Sequence, residues 1–168
     1  KSGRSVDERS LVSAYGDGME RPLIRTGTAT GVRFWRNIRY AALTGLAFRA
    51  HERDPDDPSF VGFENVESVA GFTAFADDED APNASILIED STFAFYSNNV
   101  VQGRSPSEDI IVRRCQIMNN YSTTSHSQGM YTKGASVLLE ENLFDHNGWY
   151  RQSYVELNDR AEGQATFY

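Results

Sequence analysis

Several things are scarce in this chain. Cys115 is the only cysteine, which excludes an internal disulfide and a cysteine-based zinc site. Lys1 and Lys133 are the only lysines, and arginine supplies the remaining basic charge. That bias fits a GC-rich coding sequence and says nothing about function. Basic residues are outnumbered, 16 against 24 acidic, for a net charge of -8. Such a chain repels nucleic acid as a whole, so we expect no nucleic-acid partner. No apolar run approaches the roughly 20 residues of a membrane-crossing helix, and we expect no membrane partner. The sequence contains no phosphate loop, no nucleophile elbow and no zinc motif.

What is present suits one folded domain over residues 1–168. A hydrophobic fraction of 39% in 168 residues is enough to bury a real core and excludes a disordered tail. The start, Lys1-Ser-Gly-Arg, has no initiator Met or signal-peptide core, and Ala165-Thr-Phe-Tyr168 reads as the start of a strand. We therefore expect a fragment of a longer protein. Acid gathers at Asp54, Asp56 and Asp57, interleaved with Pro55 and Pro58, and in the run Asp77-Asp78-Glu79-Asp80. Either could offer oxygen ligands to Ca2+, although neither has the spacing of a known calcium loop and both also read as solvated loops. No metal-ligand set is assigned.

An internal repeat organises the chain. Ile86-Leu-Ile-Glu-Asp-Ser-Thr-Phe93, Ile110-Ile-Val-Arg-Arg-Cys-Gln-Ile117 and Val137-Leu-Leu-Glu-Glu-Asn-Leu-Phe144 superpose without a gap, their starts 24 and 27 residues apart. A weaker copy runs from Ala41 to Phe48. The apolar runs are short and β-branched, and polar breakers punctuate them, which argues for strands. A repeat of about 24 residues with Asn/Gly corners predicts one coil of a parallel β-solenoid, successive coils stacking about 4.8 Å apart.

Strand alternation sends positions one, three, six and eight inward. That puts Cys115 in a core row with Ser91 and Asn142, as an inert thiol. Position four then reads Glu89, Arg113, Glu140 and position five Asp90, Arg114, Glu141, two ladders that alternate in sign as adjacent strands prefer. Position two leaves an outward aliphatic row, Leu87, Ile111 and Leu138. The long loop insertion at 54–82 is the expected cover for that row.

This pattern resembles the repeats of right-handed parallel β-helix proteins of the pectate-lyase-like superfamily. Leu11-Val-Ser-Ala-Tyr-Gly-Asp-Gly18 with Arg21-Pro-Leu-Ile24 resembles an early coil, and His126-Ser-Gln-Gly-Met-Tyr-Thr-Lys-Gly134 leading into Val137–Gly148 a later one. The resemblance implies an all-β right-handed parallel β-helix. It also implies a carbohydrate-active protein, polysaccharide lyase- or epimerase-like, secreted or at the cell surface, that acts on or binds an acidic polysaccharide. Fold alone does not choose an activity. The alternative is a non-catalytic structural or adhesive β-solenoid, a spike or surface module that self-associates through its solenoid ends.

Elimination next to a carboxylate needs a base and a cation to stabilise the enolate. With Met130 and Thr132 pointing inward, Tyr131 and Lys133 would face solvent together. Lys133 and Tyr131 are the proton-transfer candidates, with His126 and His146 as acid/base or orienting groups. A plain exposed strand is the competing reading. Trp149 and Tyr150, with Asp145 and Arg151 beside them, are candidates for a sugar-binding platform, though Asn147-Gly148 also reads as a turn that Trp149 caps. Asp145 has no persuasive second acid for glycoside hydrolysis, so hydrolase ranks below lyase. His51 reads as an exposed coil end, and the sequons at Asn83 and Asn120 as chance occurrences.

Overall fold

A computed structural model describes residues 1–150 except 19, 36, 75–81, 103–106, 123–126 and 134. For Glu64, residues 98–102, Lys133, Trp149 and Tyr150 it describes the backbone alone. The strands follow one another in sets. The first set is β1 (Ser10–Ser13), β2 (Leu23–Arg25) and β3 (Val32–Arg33). The second is β4 (Arg39–Thr44), β5 (Ala47–Arg49) and β6 (Ala70–Thr73), with 3-10 turns at His51–Arg53 and Phe63–Asn65 between the last two. Then come β7 (Ala84–Glu89), β8 (Thr92–Ala94) and β9 (Asn98–Gln102). The fourth set is β10 (Glu108–Arg113), β11 (Gln116–Met118), the short β12 (Tyr121–Ser122) and β13 (Gln128–Lys133). Last are β14 (Val137–Glu140), β15 (Leu143–Asp145) and β16 (Trp149–Tyr150).

The protein is all-β, and its sheets are parallel. One sheet runs β1-β4-β7-β10-β14, a second β2-β5-β8-β11-β15, a third β3-β6-β9-β13, and β12 pairs with β16. The first two sheets thus take one strand from each of the five sets in turn, and the third takes one from each of the first four. The repeat register holds at every step. Ile110 lies beside Ile86 and Val137, Ala41 beside Ile86, and Phe93 beside Phe48 and Ile117.

The inward rows form the core. Leu43, Ile88 and Val112 are buried, as are Phe48, Phe93 and Ile117. The Phe48 and Phe93 rings stack at 5.1 Å between centroids. Cys115 is buried as expected, and burial raises its thiol pKa.

The corners need the left-handed backbone region, and the residues that supply it differ from the expected Asn/Gly set. Gly45 (φ 71°), Asp90 (49°), Arg114 (51°) and Glu141 (53°) take it at the corner after the first sheet. At the next corner Phe95, Asn119 and His146 do the same. Non-glycine residues there carry a steric cost, so the stacked neighbours must hold them in place. Polar side chains do this at position six. The Asn142 carboxamide accepts from the Cys115 amide (2.9 Å) and donates to the Val112 carbonyl (2.8 Å). Ser91 accepts from the Leu46 amide and donates to the Glu89 carbonyl. Each replaces a ladder bond that the turning backbone cannot make.

Three expectations need correction. The 54–82 segment is not simply a loop, because β6 lies within it and is a strand of the third sheet. Nor do its described residues before β6 cover the outward row. They fold over the other side, where Phe63 packs edge-on against Tyr121. The N-terminal segment borders the row instead, Val6 and Arg9 lining a groove with Ile111 and Leu138. Finally, Thr132 is exposed although Met130 packs on the core, since β13 is the terminal strand of its sheet.

Candidate functional site

The charge ladder lies along the edge of the first sheet. Arg113 Nε donates to Glu89 Oε1 at 2.6 Å, and Arg114 pairs with the same carboxylate. Hydrogen bonding and attraction from Glu89 raise the Arg113 pKa, with Glu140 and Glu141 adding to the effect. Arg21 closes the row on Asp90 at 2.7 Å. These arginines hold neighbouring strands together, as their alternation with acids suggested.

Of the sequence-derived candidates, Asp145 and His146 lie together at the last strand set. Asp145 ends β15, and His146 follows in left-handed backbone. His146 Nδ1 lies 2.7 Å from Asp145 Oδ1, both side chains about half exposed. Asn147 anchors this corner. Its Nδ2 donates to the Ile117 carbonyl (2.7 Å) and its Oδ1 accepts from the Asn120 Nδ2 (2.6 Å). Gly148 turns the chain with φ 91°.

Gly129 on β13 sits against the same corner. A Cβ there would meet Phe144 at 2.9 Å and the Asn147 amide at 3.0 Å, so only glycine lets β13 approach. Tyr131 lies two residues further along β13, half-buried beside Val100. The fold therefore joins Asp145 to His146 and puts Tyr131 on a strand of a different sheet. His126 and Arg151 lie outside the described residues, as do the side chains of Lys133, Trp149 and Tyr150.

A second cluster was not foreseen. After β5 the chain turns through His51–Arg53, and His51 Nδ1 accepts from the Gly27 amide at 3.1 Å. The Glu52 carboxylate lies over Gly27, where a Cβ would come within 3.0 Å of it. Asp57 accepts from the Ser59 hydroxyl (2.6 Å) and pairs with Arg25 at 3.2 Å. The Ser59 hydrogen bonds, with Arg25 and His51 nearby, hold its carboxyl below the usual carboxylate range. Beneath them Asp54 is fully buried against Arg49, and Tyr96 bonds Thr26 at 2.9 Å.

Arg53 is buried too. Its guanidinium donates to the carbonyls of Phe95 (2.7 Å), Glu67 and Tyr121, and it lies 4.6 Å from the centre of the Tyr121 ring. Desolvation lowers its pKa. The run His51-Glu52-Arg53-Asp54 looks like solvated charge in the sequence, and only its flanking Pro55 and Pro58 hint at a fixed turn. Asp54 and Asp57 are committed to arginines, and among the described residues no three ligand-type side chains could hold a metal. The Asp77–Asp80 run lies outside those residues. Asn83 and Asn120 are fully buried, so neither sequon can carry a glycan on the folded chain.

Comparison with protein-family models, with curated proteins and with solved structures returns no match. The family expectation rests on the residue pattern alone.

Proposed function

We propose that the chain is a right-handed parallel β-helix of the pectate-lyase-like kind that binds or acts on an acidic polysaccharide outside the cell. The observation that supports this reading is the unbroken register of the repeat, which stacks like residues along the first two parallel sheets. The right hand follows from the general preference of parallel crossovers. A regular lattice of side chains at strand spacing suits a polymer with its own regular repeat. On this reading Lys133 or Tyr131 takes the proton next to the uronate carboxylate, and His146, oriented by Asp145, and His126 assist. Trp149, Tyr150 and Arg151 would hold the sugar rings, with Asp145 beside them.

The test is incubation with polyuronates, following the ultraviolet absorbance of an unsaturated uronate product. Appearance of that product, and its loss in Lys133→Ala or Tyr131→Phe, is the expected outcome for a lyase. Retention on a polyuronate matrix without product would make the chain a binding module. Neither product nor retention would sink the carbohydrate reading.

A second reading, a structural or adhesive module, is favoured by one observation. Inward rows emerge as exposed apolar side chains on the first and last strand sets, Val12 and Ile24 on one and Leu139 and Phe144 on the other.

A further inference from the structure

The corner after β2 and the turn after β5 belong to different strand sets and are fastened side by side. Thr26 donates its amide to the Arg49 carbonyl at 2.9 Å, and its hydroxyl bonds the buried Tyr96 phenol at 2.9 Å. Arg25 pairs with Asp57 at 3.2 Å. A further tie is the Gly27 amide, which donates to His51 Nδ1 at 3.1 Å. Within the corner, the Ala29 amide donates to the Thr26 carbonyl at 3.0 Å.

These ties respond differently to acid. Those of Thr26 use peptide groups, a hydroxyl and a phenol whose pKa burial pushes up to about 12, so none changes charge near neutral pH. Arg25 and Asp57 keep their charges, because the Ser59 hydrogen bonds hold the Asp57 carboxyl below the usual carboxylate range. The Gly27 tie is different. It needs a lone pair on Nδ1, so His51 must be the neutral tautomer with its proton on Nε2. A proton on Nδ1 sets two donors face to face and ends the bond.

Imidazole is the side chain that gains its charge between about pH 5 and 8, and His51 is only half-buried. The charged groups around it are Glu52 and Arg53 on its own turn, Asp54 and Asp57 beyond it, Arg25 at the end of β2 and Arg49 at the end of β5. Tyr96 reaches the corner through Thr26. Arg53 is spent on backbone carbonyls, Arg49 on Asp54 and Arg25 on Asp57. An imidazolium freed from Gly27 has carboxylates at hand, Glu52 lying over Gly27 and Asp57 beside His51.

We propose that His51 is a proton-operated latch: neutral, it holds residues 26–29 against the second strand set, and protonated, it releases Gly27 and turns to Glu52 and Asp57. The corner loosens in mild acid while the strands stay paired, since Thr26 remains tied to Arg49 and Tyr96. The latch lies within the first two strand sets and does not depend on the carbohydrate reading; the polyuronate assay could fail while the latch holds, or the reverse.

The experiment is amide hydrogen exchange followed by NMR from about pH 7.5 to about pH 5, the range over which imidazole titrates. Each rate is corrected for the pH dependence of exchange in an unfolded peptide. The chains are the wild type, His51→Asn and His51→Phe. Asn sets an amide oxygen near the place of Nδ1 and accepts at every pH, whereas Phe has no acceptor. In the wild type, protection of the Gly27 amide is expected to fall about tenfold on acidification, the change that loss of one hydrogen bond brings, with the β7 and β8 amides unchanged. It is expected to stay high throughout in His51→Asn and low throughout in His51→Phe. His126 and His146 remain in both variants, so a fall that persists in His51→Asn overturns the proposal. So does a wild-type Gly27 amide whose protection is absent or constant, or a loss shared by all amides, which is global unfolding. Should a variant misfold, the wild-type ring-nitrogen resonances decide. Nδ1 must be unprotonated at neutral pH and gain its proton with the midpoint at which Gly27 loses protection. A neutral ring protonated on Nδ1, or two separate midpoints, overturns the latch.

Discussion

Tyr96 shows how much a single phenol can carry. It is fully buried, its hydroxyl bonds Thr26, and burial pushes its pKa up to about 12. The unfolded phenol titrates near 10. Below about pH 10 both states keep the proton and the contribution to stability is complete. As pH rises from about 10 toward 12 the unfolded state loses its proton first, so stability falls by on the order of 2–3 kcal/mol. Urea unfolding at stepped pH should show this loss in the wild-type chain and a flatter profile in Tyr96→Phe. Equal slopes in the two would mean that the phenol stays protonated for no longer in the folded chain.

The buried charges teach the opposite lesson about reading residues singly. Asp54 and Arg53 look solvated in sequence because their neighbours are polar. Their partners lie elsewhere: Arg49 for the acid, and the carbonyls of Glu67, Phe95 and Tyr121 for the arginine. A buried guanidinium without those acceptors would be expensive.

At the scale of elements, sequence pattern and structure agree closely. Three apolar positions per repeat were enough to align β7, β10 and β14, because a slip of one residue would turn each inward side chain to solvent. The signs at position four followed without being used in the alignment, and Arg113 pairs with Glu89 as they implied. Arg113→Glu should lower the thermal midpoint by setting three acids in one row. The double change Glu89→Arg with Arg113→Glu should recover part of the loss. Scanning calorimetry of the three chains checks this, and no effect of the single change would mean that the ladder contributes nothing to stability.

The third sheet was harder to see. β3, β6, β9 and β13 share no repeat motif, their register shifts between Ala70 and Thr73 and again between Gln128 and Tyr131, and β6 lies inside what reads as a loop. The candidate site inherits this difficulty. Asp145 and His146 follow a well-marked strand, whereas Tyr131 sits on the poorly marked one, so its inward and outward neighbours could not be assigned from alternation alone.

For the molecule as a whole, charge sets the terms on which any acidic polymer binds. A net charge of -8 opposes a polyanion at long range, and a divalent cation or screening salt relieves that opposition. Retention of the chain on a polyuronate gel should therefore rise with Ca2+ or moderate salt and fall on chelation, with no change on a neutral polysaccharide. Binding that weakens as salt rises would point instead to a local basic surface as the point of contact.

The order in which the strands stack was written in the chain itself. Positions repeated every 24 to 27 residues must meet their equivalents one strand spacing away, so local pattern carries tertiary information. The buried Arg53 staple, the His51–Asp57 cluster and the left-handed corners at Arg114 and Glu141 were decided only by the folded molecule. Each depends on groups brought together from distant parts of the chain, and no local pattern of polarity records which of those groups will be shielded from water.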